Sequence, residues 1–551
     1  MSNVGGTVSE PYHYTYITPN NKKQLKAMNK YFIGCLAAAM LSLNTACTDD
    51  LNQYPHTETT SESVYTNVAN YEAVLGKIYA SMTATGQESS GVDYASNHGE
   101  NYMRTFLNLQ EAPTDEMAYS WLTGDDLTNI SFMKWDAGDT WVSDMYYRIY
   151  YNITLCNEFL RNCSDSKLAS FDDADQQKLR RYRAEARFMR ALFYYHALDL
   201  FRNIPFVTEN DPIGSYVPPR YTPEQTFEYI ESELNDCVGD LASKADCPYG
   251  EASKGAAYTL LAKLYLNSEV YTGTARYTEC IKACNNVIAE GYSLNSDYAQ
   301  LFNADNDKRT NEIIFALPQD PEHLLTYGST TYLICGAVSS TSTTLNSKDW
   351  GVESPWGNFR SRGNLTAKFA DGDKDHRYMF YTDGQNQYID DFTNQQDGYL
   401  FTKWTNLKDN GEVASNTASY GAATDFPLFR LADVYLMYAE AVIRGGEGGT
   451  RAQAVSYIND LRKRAYGDES GNIKESQLSK EFIIDERARE LYMEGQRRTD
   501  LVRFGEFTTS SYIWEWKGGT KDGMAVDNKY NYYPIPSTDL TANPNLKNEE
   551  Y

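Results

Sequence analysis

A chain of 551 residues with a formal net charge of −25 is long enough for one large core or for two to three ordinary domains. So much negative charge, with no basic stripe to offset it, argues against a nucleic-acid partner and against adsorption on anionic lipid. The nine cysteines are irregularly spaced and complete neither a disulfide framework nor a zinc site, so those beyond the N-terminal region are expected as small buried residues.

The chain-order reading starts with residues 28–51, MNKYFIGCLAAAMLSLNTACTDDL. Lys30 precedes an apolar run from Tyr31 to Leu43, small residues follow, and then come Cys47, Asp49 and Asp50. That order is a secretory signal ending at a cysteine, with a run shorter than the roughly 20 residues that span a bilayer. Residues 1–46 are therefore read as a signal peptide, with Met28 as a candidate start. Cys47 is the lipidation site, and 47–66 is a polar tether. Leu43 stands four residues before the cysteine rather than three.

From Asn70 onward the pattern is helical. Tyr71, Val74, Leu75, Ile78, Tyr79 and Met82 form one stripe at the i, i+3, i+4, i+7 spacing of a buried face. Comparable patterns recur at about 145–162, 174–202, 222–241, 253–268, 276–289, 428–444, 451–465 and 479–494. Thr222, Pro223 and Gln225 spell a capped helix start, and Gly495 is expected as the left-handed stop of the last helix. Paired helices of this length predict a mainly α fold of stacked, tetratricopeptide-type hairpins with minor β, in a single domain over 67–551.

Residues 86–144 and 303–425 differ. They are rich in Gly, Ser, Thr, Asn and Asp, with scattered Trp and Tyr and little periodicity. Loops of this length in a compact domain usually act in function, so these two regions are expected to form a ligand face on a helical scaffold. Tyrosine, at 45 residues, supplies a flat apolar face with one hydroxyl, although most of these rings are expected to be packing.

Several segments, taken together, resemble the SusD/RagB family of surface lipoproteins. They are RAEARFMRALFYY (183–195) with LFRNIP (200–205), PLFRLADVYLMYAEA (427–441), ERARELYMEGQRRTDLVRFG (486–505), and YPIPSTDL (533–540) with Asn543-Pro544-Asn545. Asp49 and Asp50 also resemble an acidic surface-export signal. The resemblance implies a non-catalytic receptor, lipid-anchored at the outer surface of the outer membrane. Such a receptor passes oligosaccharides to a TonB-dependent β-barrel transporter of SusC type. Three further segments, 113–121, 327–336 and 514–519, resemble a starch-binding member of the family. By matching motif position, a glycan-cradling aromatic arc would comprise Tyr119, Trp121, Tyr327 and Trp350, with Arg104 as polar partner and an α-glucan as ligand. Tyr119 replaces a tryptophan of that pattern and Gly124 an asparagine. Trp350 needs a gap to align and has Trp356 as its rival.

The residues themselves add limits. Glu486, Glu490 and Glu494 lie one helical turn apart among Arg487, Arg489, Arg497 and Arg498 and are read as structural ion pairs rather than catalytic acids. No HExxH, phosphate loop or GxSxG elbow is present. His196 is expected in the core, as are Trp135, Trp141, Trp404, Trp514 and Trp516. Asp371, Asp373 and Asp375 alternate like the start of a calcium loop, but His376 stands where glycine belongs, so a surface turn is expected and no cofactor. A glycoside hydrolase, or a relative that binds peptides or another glycan, stays open as the alternative.

Overall fold

The computed structural model describes residues 61–86, 93, 96–339 and 344–551. The signal peptide, Cys47 and most of the tether therefore lie outside the described residues. The chain divides into units 1–64 and 65–551. In the first, the described part is the short helix Ser61–Val64; the second holds everything below.

The second unit is mainly helical. Helix α1 (Val68–Ala80) is capped by the Asn67 side chain and buries Tyr71, Leu75 and Ile78 of the expected stripe. It packs on α4 (Asp173–Phe201), as does α3 (Thr140–Asn162). From α4 each helix packs on the next: α5 (Pro223–Cys237), α6 (Lys254–Leu266), α7 (Tyr277–Ala289), α9 (Leu431–Ile443) and α10 (Arg451–Tyr466). The stacked-hairpin expectation holds, and so does its local chemistry. Thr222 accepts from the Gln225 amide, Gln225 reaches back to Thr222, and Pro223 occupies the first turn. His196 is buried beside the Tyr102 hydroxyl at 2.6 Å, and burial pushes its pKa down to about 3. Six of the seven cysteines among the described residues are buried, and all seven are free.

Three expectations need correction. Region 86–144 is not all loop: α2 (Tyr102–Glu111) crosses it with every residue buried. Region 303–425 likewise contains α8 (Ser329–Ala337), buried throughout. The apolar stripe of α2 is short, and α8 is apolar or small almost throughout, so neither stands out inside its Gly- and Ser-rich surroundings. Residues 428–444 are not one helix either. Phe426–Arg430 is a strand paired antiparallel with Ile313–Leu317, and only then does α9 begin. Both strands are buried along their whole length, which removes the alternation that marks a half-exposed strand. Finally, α11 (Lys480–Leu491) ends before Gly495, which has φ +75° within a later turn.

That turn and α11 are anchored by buried charge. Glu490 accepts from Arg377, Arg430 and Arg464; Glu486 from Arg377, Arg462 and Arg489; Glu494 from Arg430 and Lys403. Burial alone would raise the Glu490 pKa, but Arg464, Arg430 and Arg377 hold it down at about 2. The acids are structural ion pairs, as expected, but of the arginines beside them in sequence only Arg489 is a partner; the other arginine partners reach them from the strand, α10 and a loop. Glu490→Gln should cost about 3–5 kcal/mol, because it strands buried guanidinium groups; chemical denaturation at neutral pH measures this. The wild-type contribution should be present above the unfolded value of 4.5 and be lost as pH falls toward about 2.

Candidate functional site

The expected face is assembled by α2, the strand β1 (Met117–Tyr119) that follows it, and the chain around residue 327. Asn101 caps α2 by accepting from the Arg104 amide at 2.9 Å. Its amide nitrogen donates to the Thr83 carbonyl and to the Ser329 hydroxyl, at 2.6 and 2.9 Å. Gly328 lies so close that an added Cβ would collide with the Asn101 side chain. The helix start and the chain beside Tyr327 are therefore pinned to each other.

Arg104 is the hub. Its guanidinium donates to Glu100 at 2.7 Å, to the Tyr327 carbonyl at 3.2 Å, to the Tyr119 hydroxyl at 3.4 Å and to Asp125 at 3.0 Å. It also lies 4.6 Å from the centre of the Tyr332 ring. Tyr119 donates its hydroxyl to Asp125 and accepts from Asn358. Burial pushes the Tyr119 pKa well above its usual value, with Arg104 opposing the shift and Asp125 adding to it.

These contacts revise the site reading. Tyr119 is fully buried, so its ring offers no face to a ligand. Arg104 is 6% exposed and both of its terminal nitrogens are engaged within the protein. Both form the underlay of the face rather than its surface. β1 pairs with Phe359–Ser361, and Tyr119 lies on the side of that ribbon facing α2 and Arg104. Trp121 is two residues past Tyr119 but beyond the strand's end, where the chain turns, so the shared-face argument from spacing does not carry.

Trp121 and Tyr327 are exposed, at 43% and 49%. They are linked by one hydrogen-bonded path. The Trp121 carbonyl accepts from the Asp125 amide, the Asp125 carboxylate holds Arg104, and Arg104 reaches the Tyr327 carbonyl. The Tyr327 ring lies 4.2 Å from Tyr420 and 5.8 Å from Trp356, centre to centre. Trp350 is half-buried and meets Tyr381 edge-on at 6.0 Å; its rival Trp356 is the indole that joins the Tyr327 cluster. Sequence reasoning missed Tyr420. It sits at φ +63° in an irregular loop, with nothing in its neighbourhood to distinguish it from the other tyrosines.

Of the tryptophans assigned to the core, Trp135, Trp141, Trp404 and Trp514 are buried. Trp516 is half-buried, with its indole N–H donating to the Ile389 carbonyl. Asp371, Asp373 and Asp375 do not converge on a cation: Asp375 turns inward onto Arg377, and Asp371 accepts from Tyr466. Among the described residues no group of three His, Cys, Asp or Glu side chains is placed to hold a metal.

Two buried acids fix β1 to the turn after α11. Glu111 accepts from the amides of Gly495 and Gln496, and Glu116 accepts from that of Met493. Burial raises both carboxyl pKa values, and for Glu116 the neighbouring Glu111 charge adds to it. A carboxyl whose folded pKa exceeds its unfolded 4.5 destabilises the fold progressively as pH climbs above that value. Glu111→Gln keeps an acceptor for both amides. It should flatten the loss of melting temperature between about pH 5 and 8 relative to wild type, as read by thermal melts across that range.

Comparison with known proteins agrees with this architecture. The profile of the SusD family matches residues 259–551, and a profile described as starch-binding, associating with the outer membrane, matches residues 50–266. The chain is 33% identical to starch-binding protein SusD of Bacteroides thetaiotaomicron, over 95% of this chain and 99% of that one. It is 27% identical to SusD-like protein P25 of Formosa agariphila, over 76% and 80%. Among solved structures, a SusD homologue from B. thetaiotaomicron superposes with a TM-score of 0.70 at 21% identity, covering 90% of this chain and 99% of that one. Surface glycan-binding protein A from the same species, in complex with laminarihexaose, gives 0.69 at 19%, covering 88% and 100%.

Proposed function

The chain belongs to the SusD family, and on that premise we propose that it is a non-catalytic cell-surface receptor for starch-like α-glucan oligosaccharides. In this reading Cys47 carries the lipid that tethers it to the outer membrane, and a TonB-dependent β-barrel transporter takes the captured glycan. No cofactor takes part. Among the described residues no helix is long and apolar enough to cross a membrane, and a lipid tether requires none.

The observation that carries the proposal is a pair of exposed rings, Trp121 and Tyr327, joined by one buried hydrogen-bonded underlay, with Trp356 and Tyr420 packed against the second. The axial-hydrogen face of a glucose unit is apolar and its rim is hydroxyl. A flat ring covers the face, and polar groups take the rim. Each such contact contributes on the order of 1 kcal/mol, by analogy with aromatic pairs. Affinity then depends on several rings being held in place beforehand, which spares the cost of ordering them on binding.

The same geometry favours binding over hydrolysis. A glycosidase sets two carboxyl groups free to act across the scissile bond. The acids beneath these rings, Glu100 and Asp125, both accept from Arg104. Incubation with starch should release no reducing ends. Trp121→Ala and Tyr327→Ala should each weaken maltoheptaose binding about fivefold, the equivalent of roughly 1 kcal/mol, with stability changed by less than about 1 kcal/mol. Titration calorimetry beside thermal melts reads both quantities. Binding at wild-type strength in both variants would remove the rings from the site, and a release of reducing ends would restore the glycoside hydrolase.

A further inference from the structure

We infer that a tyrosine-floored groove along α3, next to the Trp121 turn, is a second binding subsite for neutral glycan. The inference rests on the receptor reading above. The groove has a volume of about 670 Å³ and is walled by α3, the chain at Ser96 and Asn97, and the start of the C-terminal helix at Ser537 and Thr538. Ser143, Tyr147, Tyr150, Tyr151 and Thr154 line it. Their spacing (i, i+4, i+7, i+8, i+11) places them along one face of α3.

Its composition differs from that of the chain as a whole. Charged residues make up 23% of the chain, yet among the described residues none that lines this groove is charged. The walls combine phenol rings, aliphatic hydroxyls and one amide. That mixture suits a neutral polyhydroxylated chain, whose apolar faces take the rings and whose rim takes the hydroxyls.

The rings are also fixed. Tyr147 donates its hydroxyl to Asp539, Tyr150 to the Pro205 carbonyl and Tyr151 to Asp93, at 2.6, 2.7 and 2.9 Å. Three neighbouring rings on one helix are thus tied at their tips to three different segments. The rim is tied as well. Asp144 accepts from the Ser96 hydroxyl, the Asn97 amide and side chain, and the His98 amide, all within 3.0 Å. Rings and hydroxyls held before binding are what a weak, multi-contact ligand needs. Tyr147 and Tyr150 also line a second hollow of about 300 Å³, with Tyr216 and Pro218, so the ringed surface continues past the groove.

The groove adjoins the first site through one turn. Asp125, whose carboxylate holds Arg104, accepts with its carbonyl from the Trp141 indole at 2.7 Å. Asp126 accepts from Thr140 at 3.0 Å, and Thr140 lines the groove. The turn bearing Trp121 is therefore bonded to Arg104 on one side and to the start of α3 on the other.

The test is calorimetric titration of the full chain with maltoheptaose, with laminarihexaose run in parallel. Two groove variants are used: Tyr151→Ala, which removes a ring, and Ser143→Leu, which fills the groove without touching a tyrosine. Thermal melts confirm that each is folded. Each is made in the wild-type chain and in the Trp121→Ala/Tyr327→Ala background. The expected result is residual glycan binding in that background, weakened about fivefold or more by either groove variant, with the groove variants also weakening binding in the wild-type chain. Wild-type binding that both groove variants leave unchanged in both backgrounds overturns the groove while leaving the receptor reading intact. Absence of binding by the wild-type chain to either sugar overturns the receptor reading and the groove with it.

Discussion

The arrangement depends on carboxylates buried against arginine. Glu490 alone joins Arg377, Arg430 and Arg464, which come from a loop, the strand Phe426–Arg430 and α10. A buried acid that lost these partners would face a desolvation cost of several kcal/mol, so the three segments are not free to separate. Buried ion pairs add little net stability compared with an apolar core of the same shape. What they supply here is position: each guanidinium accepts few geometries, and satisfying two or three carboxylates at once leaves fewer still.

The candidate face repeats the device one layer out. Arg104 is to β1 and the Tyr327 chain what Arg430 is to α11. Glu111 and Glu116 couple the two layers, since both acids hold the backbone of residues 493–496 while bracketing the entry to β1. The rings at the surface thus inherit their placement from charge buried in the scaffold. This also explains why Arg104 is spent on protein rather than ligand: a face assembled from segments far apart in sequence needs an interior residue to join them.

What was legible in the sequence follows from the same physics. Helices with one apolar stripe and an explicit cap were readable at their starts, α5 with its Thr222 box above all, although α5 stops at Cys237 rather than near 241. Elements enclosed on all sides were not. α8 and the strand pair are buried throughout and show no polar alternation, and the ten residues of α2 are too short a stretch to stand out within a Gly- and Ser-rich region. The site was half legible. Trp121 and Tyr327 stand exposed as the resemblance implied, but burial is a property of the assembled fold, and nothing local marked Tyr119 and Arg104 as lying underneath. Trp356 rather than Trp350 beside Tyr327 is a matter of which loop residue the chain turns toward, and a gap in a motif match cannot decide it.

Tyr420 shows why the rest was hidden. A non-glycine residue at φ +63° costs about 1–2 kcal/mol in backbone strain, and such a residue persists only where its surroundings impose it. Here they do. The Tyr420 carbonyl accepts from the Thr326 amide and the Thr331 hydroxyl, and the Thr331 oxygen accepts in turn from the Ala422 amide. The strained turn brings the Tyr420 ring to 4.2 Å from Tyr327. A loop relaxed to ordinary angles would aim that ring elsewhere and leave Tyr327 unsupported on that side. Strain held by three hydrogen bonds, for the sake of one ring contact at the surface, is the pattern expected where rigidity serves recognition rather than stability.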